Sequence, residues 1–326
     1  MKLGYASLKL LRRVLARILP NHYRDIPIDD DPTAVSAKIS ELLQRNAPCM
    51  IARLGATELE TVINGEAVLS GKRDFWGYLT GKSSPWWWEQ FCINQLKDWS
   101  GVFPATEEMA ERFTRLMLRD IAEIDLLGSW LPKERQLHEL DGKPRFTVLY
   151  LDPFWTERPW TAALRGKRVL VVHPFANLIR RQYERRASLF QHPDVLPDFE
   201  LIVLPAVQSL GGCAKYADWF AALEAMKNKI DRIDFDIALL GCGAYGLPLA
   251  AYIRRMGRKA IHMGGSLQLL FGIKGARWEN PNFGIRELGA PGRYASLFNE
   301  NWVYPDAEGR PDNFESIEGA CYWEGK

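Results

Sequence analysis

Cysteine is scarce in this chain of 326 residues, and none of it falls in a metal-binding spacing. The five cysteines are scattered, odd in number and free of any C-x-x-C pair: Cys49, Cys92, Cys213, Cys242 and Cys321. This pattern argues against a disulfide framework and a structural zinc site, and it fits a reducing compartment. The chain also lacks any run of about 18 apolar residues, so no transmembrane helix is expected.

An excess of charge of either sign is also missing. The formal net charge is only +2, so the composition does not indicate a nucleic-acid-binding protein. Hydrophobic residues make up 47% of the chain, which is enough to bury a large core in one big α/β domain or two smaller ones. The twelve tryptophans are numerous, and tryptophan both fills cores and stacks on ligands.

Residues 1–20 predict a helix with an apolar stripe on one side and basic residues on the other. The stripe is Leu8, Leu11, Leu15, Ile18 and Leu19, and the opposite side carries Lys9, Arg13 and Arg17. Such a helix either packs on its own domain or lies on an anionic bilayer surface. We expect residues 1–31 to form this amphipathic helix and an acidic linker. Residues 32–326 would form the α/β domain. If this domain has an internal boundary, we expect it near residues 140–165.

The segment 235–278 predicts a βαβ unit around a glycine turn. Strand 237–240 precedes Gly241, Gly243 and Gly246, and helix 247–256 and strand 259–263 follow. The G-x-G-x-x-G spacing lets phosphates approach backbone N–H groups at a helix N-terminus. No acidic residue for a ribose follows the second strand, so we exclude NAD and FAD. A looser nucleotide or phosphate site remains, or glycines that only permit close helix–strand packing.

Two further strand-to-helix junctions carry candidate ligand groups. Strand 168–173 ends at His173, and helix 176–190 opens with Asn177, Arg180 and Arg181, which form either an anion site or a solvated basic face. Strand 200–203 is followed by Gln208. Alternation of strands and helices from residue 145 predicts a doubly wound, mostly parallel, Rossmann-like sheet with ligands at the carboxyl ends of its strands.

Candidate catalytic groups lie at two other strand ends. Arg53 is a charge inside the apolar strand 49–54, and Glu58 opens the helix predicted after Gly55. A buried arginine needs a carboxylate or a phosphate, whereas Glu58 also suits simple helix capping. The predicted strand 146–151 ends at Asp152, a place for chemistry in an α/β fold or for an ordinary turn residue before proline.

These segments carry a resemblance to a known family. IARLGATELE resembles the R-F-G-D-G-E segment of the bacterial glycosyltransferases of the GT-D fold. The segments LVVHPFANLIRRQY and ALLGCGAYGLPLAAYIRRMGRKAIHMGGSLQLLFGIKGARW look like later parts of related surface-polysaccharide proteins. The resemblance covers residues 45–325. It implies transfer of a sugar from a nucleotide-sugar, UDP-sugar above all, to a growing glycan or a lipid-linked acceptor, in the cytoplasm at the inner membrane face.

The resemblance also implies site residues and a metal. The family's two acids hold Mn²⁺ or Mg²⁺ and the donor diphosphate; here Glu58 keeps the second acid and Ala56 replaces the first, which puts the metal in doubt. We predict Arg53, Glu58 and Asp152 as catalytic. The predicted substrate-binding residues are Gly55, Thr57, His173, Asn177, Arg180, Arg181, Gln208, Gly241, Gly243, Tyr245, Gly246, Gly264, Gly265 and Gln268. The alternative is a catalytically inactive member that binds nucleotide-sugar or acts as a scaffold in a polysaccharide assembly complex.

Overall fold

A seven-stranded, all-parallel sheet forms the centre of the computed structural model, which describes residues 2–19, 26–209, 215–306 and 321–324. The strands are β1 (Cys49–Arg53), β2 (Leu126–Ser129), β3 (Arg145–Thr147), β4 (Arg168–His173), β5 (Glu200–Pro205), β6 (Ile237–Leu240) and β7 (Lys259–His262). Their order across the sheet is β3-β2-β1-β7-β6-β4-β5. The α/β, Rossmann-like prediction is confirmed.

Helices cover both faces of this sheet. They are α1 (Lys2–Leu15), α2 (Pro32–Gln44), α3 (Ala56–Leu69), α4 (Phe75–Leu79), α5 (Gln90–Ser100), α6 (Glu107–Ile121), α7 (Ala176–Glu184), α8 (Trp219–Ile230), α9 (Gly246–Arg255), α10 (Leu267–Leu270), α11 (Ala276–Glu279) and α12 (Ile285–Leu288). Side-chain caps begin several of them: the Asp31 carboxylate accepts from Thr33 N at 2.9 Å, and Asp218 accepts from Ala221 N at 2.7 Å. Such caps satisfy backbone donors that the first turn leaves unpaired.

The strands send alternate side chains into two separate apolar layers. In β1, Met50 and Ala52 join a cluster with α3, α5, α6, α8 and α9. Cys49 and Ile51 join the opposite cluster with α2, α7 and α10. Because both faces are buried, the strands read as continuous apolar runs rather than as alternating patterns.

The register brings several strand ends to one edge of the sheet. Val172 in β4 pairs with Leu240 in β6, which pairs with His262 in β7, and His262 pairs with Ala52 in β1. The residues that follow this row therefore lie side by side. Carboxyl ends of parallel strands are where α/β folds bind ligands.

Two predicted element bounds are wrong. The strand expected over 146–151 stops at Thr147, and Val148–Leu151 forms a 3₁₀ turn. Strand β3 lies at the sheet edge, where it pairs with β2 on one side and forms a single bridge to Asp29 on the other, so few ladder bonds hold it extended. The helix expected over 176–190 ends at Glu184 and gives way to a 3₁₀ turn over Arg186–Ser188.

Some predicted segments fall outside the described residues. They include Met1 and Pro20 of the N-terminal segment, Asp25 of the linker, Cys213 and most of the tail after Asp306. Among the residues that are described, no helix combines the length and the apolar character needed to cross a bilayer. Strands from both sides of 140–165 belong to the same sheet.

Candidate active site

A cavity of about 900 Å³ opens at the carboxyl edge of the sheet. Its wall includes residues at or just after the ends of six strands: Arg53 in β1, Trp130 after β2, Thr147 in β3, His173 in β4, Gly241 after β6 and His262 in β7. A volume of this size accommodates a ligand larger than a single sugar. The position agrees with the expectation for a doubly wound sheet.

Arg53 is held over the cavity without a carboxylate partner among the described residues. Its Nη2 donates to Leu54 O at 3.1 Å, and its guanidinium lies 4.9 Å from the centre of the Trp130 ring. Its Nε is buried and has no hydrogen-bond partner within the described part of the chain. Trp130 is fixed in turn, since its Nε1 donates to Leu54 O at 2.9 Å. The result is a preorganised cation with unused donor capacity.

Asp152 is a buried carboxylate on the same wall. Tyr294 donates its hydroxyl to Asp152 Oδ2 at 2.6 Å, whereas the buried Oδ1 has no hydrogen-bond partner among described groups. Burial raises the pKa of Asp152 to about 6, although the Tyr294 hydrogen bond, the nearby Ser266 hydroxyl and the charge of Arg53 oppose the rise. A mostly ionised carboxylate in a cavity, with one oxygen that no described group hydrogen-bonds, is suited to accept a proton near neutral pH.

Glu58 lies in the first turn of α3 and folds back over Gly55. A β-carbon on Gly55 would come within 1.9 Å of Glu58 Oε2, so a larger residue there would displace this carboxylate. Gly55, Thr57 and Glu58 all line the cavity, and so does Ala56, which is exposed. The turn therefore presents one carboxylate at the helix N-terminus, where the helix dipole favours it.

At two of the three turn glycines, Gly241 and Gly246, a histidine ring leaves little room for a side chain. A β-carbon on Gly241 would lie 2.7 Å from the His173 ring, and one on Gly246 would lie 2.3 Å from the His262 ring. Burial lowers the pKa of both histidines to about 3, so both are neutral at physiological pH. His173 Nδ1 accepts from Phe175 N at 3.0 Å, and His262 Nδ1 donates to Arg53 O at 3.0 Å. These glycines allow close packing, and Gly246 does not line the cavity.

Gly243 differs from its neighbours in the turn. Its φ is +57°, which disfavours other residues, and no atom lies within 4 Å of the place its β-carbon would occupy. It lines the cavity, as do Gly264 and Gly265. A β-carbon on Gly264 would press against Arg53 at 3.0 Å. The backbone here is thus accessible to a ligand at Gly243.

Three other predicted contact residues line the cavity, namely Tyr245, Gln268 and Gln208. Tyr245 and Gln268 also form contacts within the protein. The buried Tyr245 stacks on Trp219 with a centroid distance of 4.9 Å, and its hydroxyl lies 2.8 Å from Ser209 Oγ. Gln268 Nε2 donates to the carbonyls of Ile273, Lys274 and Tyr322 at 3.1–3.2 Å. This amide ties the segment Cys321–Glu324 to the cavity wall. Gln208 also lines the cavity.

The predicted basic helix lies apart from this group. Asn177, Arg180 and Arg181 are exposed on α7 and are absent from the cavity wall. Arg180 Nη1 donates to Asn177 Oδ1 at 3.0 Å, and Arg181 forms an ion pair with Asp306. In the structure these residues form a solvated basic face, which is the alternative that the sequence left open. Their role in ligand binding stays a prediction.

Sequence reasoning missed three arginines that line the cavity. Arg135 follows β2 in a 3₁₀ turn, and its Nε is buried without a described hydrogen-bond partner. Arg286 is exposed on α12, and neither it nor Arg135 pairs with a carboxylate in the described part of the chain. Arg277 lies with its guanidinium 4.7 Å from the Tyr322 ring centre. All three sit in short or irregular segments, where no periodic pattern marks a charge as inward-facing.

Few of the described side chains at the cavity could act as ligands of a metal ion. Across residues 2–19, 26–209, 215–306 and 321–324, no three His, Cys, Asp or Glu side chains are grouped to hold a metal. Glu58 supplies a single carboxylate, and Asp152 already accepts from Tyr294. Sites for Mg²⁺ often combine one or two carboxylates with substrate phosphates. Binding of Mn²⁺ or Mg²⁺ therefore stays a prediction.

No protein-family model, no curated protein and no solved structure matches this chain.

Proposed function

We propose that this protein is a glycosyltransferase that moves a sugar from a nucleotide-sugar, UDP-sugar above all, to a growing cell-surface glycan. The observation that carries the proposal is that Arg53, Arg135 and Arg286 line one cavity without a carboxylate partner among the described residues. Guanidinium groups with free donors suit a diphosphate. The segment RLGATELE, which resembles the R-F-G-D-G-E segment of the GT-D family, runs from the end of β1 into α3 at this cavity. This position supports the GT-D type for the sheet.

The arginines would act on the leaving group. Negative charge grows on the nucleoside diphosphate as its bond to the sugar breaks, and preorganised cations stabilise that charge. Arg53 is already fixed by Leu54 O and the Trp130 ring, so it needs little reorganisation. Accessible backbone at Gly243, just before α9, adds a second place for phosphate oxygens.

Asp152 would serve the acceptor. In a direct displacement, the acceptor hydroxyl oxygen attacks the anomeric carbon, its proton passes to Asp152 Oδ1, and the bonding electrons leave with the diphosphate. The raised pKa of about 6 leaves the carboxylate ionised at neutral pH yet basic enough to take a proton. Tyr294 positions the carboxylate through Oδ2. Glu58 is the second active-site carboxylate in this proposal.

A second candidate is a catalytically inactive nucleotide-sugar-binding protein. Ala56, in place of the first acid of the resembling motif, is exposed at the cavity and favours this alternative. Both candidates predict diphosphate binding, and only the first predicts consumption of the donor.

Calorimetry and turnover assays together test the proposal. UDP and UDP-sugars should bind more tightly than uridine, because only the former carry charge for the arginines. Arg53→Ala and Arg135→Ala should each weaken UDP binding about tenfold and leave uridine binding unchanged. Arg185→Ala, at an exposed arginine just after α7 and outside the cavity wall, is the matched control and should bind UDP as the wild type does.

Three results decide between the candidates. Release of UDP from a UDP-sugar, with an added glycan acceptor and with or without Mn²⁺, supports transfer. Tight UDP binding without release for any donor supports the inactive binding protein. Equal affinity for UDP and uridine would contradict both, because the arginines would then not meet a diphosphate.

A further inference from the structure

Helix α1 is fastened to the domain by polar and aromatic contacts. Tyr5 stacks on Trp87 at 4.1 Å between ring centres, Lys9 pairs with Glu89 at 2.5 Å, and the Arg12 guanidinium lies 4.5 Å from the Tyr78 ring centre. The helix therefore turns part of its basic side toward the protein. Leu8 and Leu15 of the predicted stripe are half-buried, whereas Leu11, Ile18 and Leu19 are exposed, so the domain covers only part of the stripe.

Large apolar side chains consequently point away from the domain. In and after α1 the exposed fractions are 63% for Leu10, 44% for Leu11, 47% for Val14, 70% for Ile18 and 44% for Leu19. Single exposed leucines are ordinary, but contiguous apolar patches mark interaction sites. Five such residues within ten positions form a patch.

The patch continues onto the two neighbouring elements. Helix α4 packs against α1 and exposes Phe75 by 40% and Trp76 by 74%. Phe91, 67% exposed, lies two residues after Glu89, the partner of Lys9. We call eight exposed residues of α1, the turn after it, α4 and α5 the apolar face: Leu10, Leu11, Val14, Ile18, Leu19, Phe75, Trp76 and Phe91.

Basic side chains border this apolar face. Residues 1–19 contain no acidic residue, and Arg13 and Arg17 are exposed beside the apolar side chains. Lys72 and Arg73, immediately before α4, are exposed as well. Lysine and arginine near a bilayer are attracted to anionic lipids, and tryptophan favours the depth of the headgroups. The basic border and the apolar face together therefore favour a partner with a negatively charged surface and an apolar interior.

We propose that the apolar face docks this protein on the surface of an anionic lipid bilayer. The docking surface is composite, since α4 and α5 contribute its largest aromatic side chains and α1 contributes the aliphatic ones. The three contacts of Tyr5, Lys9 and Arg12 fix α1 so that all three elements meet the lipid together. Attachment by shallow insertion of side chains is reversible.

Helix α5 connects this surface to the cavity. Its eleven residues span about 16 Å. Phe91 lies near one end on the apolar face, and Trp99 and Ser100 line the cavity at the other. If the proposed glycosyl transfer holds, docking would bring the cavity within reach of an acceptor carried on a lipid.

Vesicle co-sedimentation of the full chain tests the docking independently of any activity. The wild type should bind vesicles containing phosphatidylglycerol and bind pure phosphatidylcholine vesicles far less. Trp76→Ser with Phe91→Ser should weaken binding about tenfold or more while α1 stays intact. Ile285→Ser, an exposed apolar residue outside the apolar face, is the matched control and should bind as the wild type does.

A charge reversal tests the basic border. Arg13→Glu with Arg17→Glu should abolish most binding, whereas Arg180→Glu with Arg185→Glu on the opposite face of the sheet should not. Thermal unfolding of every variant confirms that it folds. Wild-type binding by the Trp76/Phe91 variant would overturn the composite surface. A lipid-free dimer that this variant dissociates would also overturn it, because a second copy would then cover the apolar face.

Discussion

Asp152 is a buried carboxylate beside an open cavity, and this placement raises the free energy of the folded state. Its pKa rises from 3.8 to about 6 because of burial. The folded chain therefore holds the proton more tightly than the unfolded chain does. The resulting loss of stability grows as the pH rises from about 4 to 6 and reaches about 3 kcal/mol at pH 7.5.

Asp152→Asn should consequently stabilise the protein and abolish sugar transfer. The amide keeps an acceptor for Tyr294 and removes the buried charge. Urea unfolding should show a gain of up to about 3 kcal/mol at pH 7.5 and about half of that at pH 5. A gain of the same size at both pH values would mean that ionisation of Asp152 is not its cause.

Glu58→Gln should abolish transfer and leave the fold intact. The amide removes the charge at the start of α3 but keeps the shape that packs on Gly55. Glu60→Gln, two residues further along the same helix, is the matched control and loses only its ion pair with Lys133. Donor turnover by each variant is the measurement. Full turnover by Glu58→Gln would reduce Glu58 to a capping residue.

At the scale of elements, the β6–α9–β7 unit depends on the fit between one glycine and one ring. Gly246→Ala would place a methyl group 2.3 Å from His262, so we expect a loss of about 1 to 3 kcal/mol. His262→Ala should relieve that clash. In a double-mutant cycle of urea unfolding, the two changes should be non-additive by more than about 0.5 kcal/mol.

Gly243→Ala is the matched glycine control for this cycle. Its cost comes from the φ of +57°, with no atom nearby, so His262→Ala should not relieve it. Additive losses in the Gly246 cycle as well would show that the ring does not constrain the turn.

The elements themselves were predictable where apolar runs were long and bounded by clear signals. Strands β4 and β6 match their predicted bounds, because both are fully buried runs that end at a turn. Strand β3 was overestimated, since an apolar run at a sheet edge looks the same in sequence as a central strand. The 3₁₀ turn that follows it still carries Asp152 to the cavity.

At the scale of the whole molecule, two buried neutral histidines set its response to acid. The pKa of His173 and of His262 is about 3 in the folded protein, against about 6.5 in an unfolded chain. As the pH falls from 6.5 toward 3, the two histidines bind protons in the unfolded chain but stay neutral in the folded chain. Stability is therefore present above pH 6.5 and is lost as the solution becomes more acidic.

The wild type should be less stable at pH 5 than at pH 7. The two histidines together should remove about 4 kcal/mol, and the partial protonation of Asp152 should return about 1 kcal/mol. Urea midpoints across this range are the measurement. Constant or rising stability down to pH 5 would contradict the neutral, buried state of the rings.

The site was less predictable than the fold because it is assembled from distant segments. Arg53 stood out as a charge in an apolar strand, and Asp152 as an acid at a strand end. Arg135 and Arg286 lie in short turns, where a charge is equally typical of solvent. Arg180 and Arg181 followed a clear strand-to-helix junction, but helical geometry turns their positions outward on α7.

The strand order has a consequence for synthesis of the protein on the ribosome. Strand β1 pairs with β7, so residues 49–53 meet partners at 259–262. Until the second segment emerges, the growing chain carries the β1–β2–β3 half with one side of β1 unpaired. Such an edge recruits other strands. If translation stops before β7, the fragment should therefore aggregate unless chaperones bind it. If translation stops after β7, β1 can pair with β7 and the sheet can form.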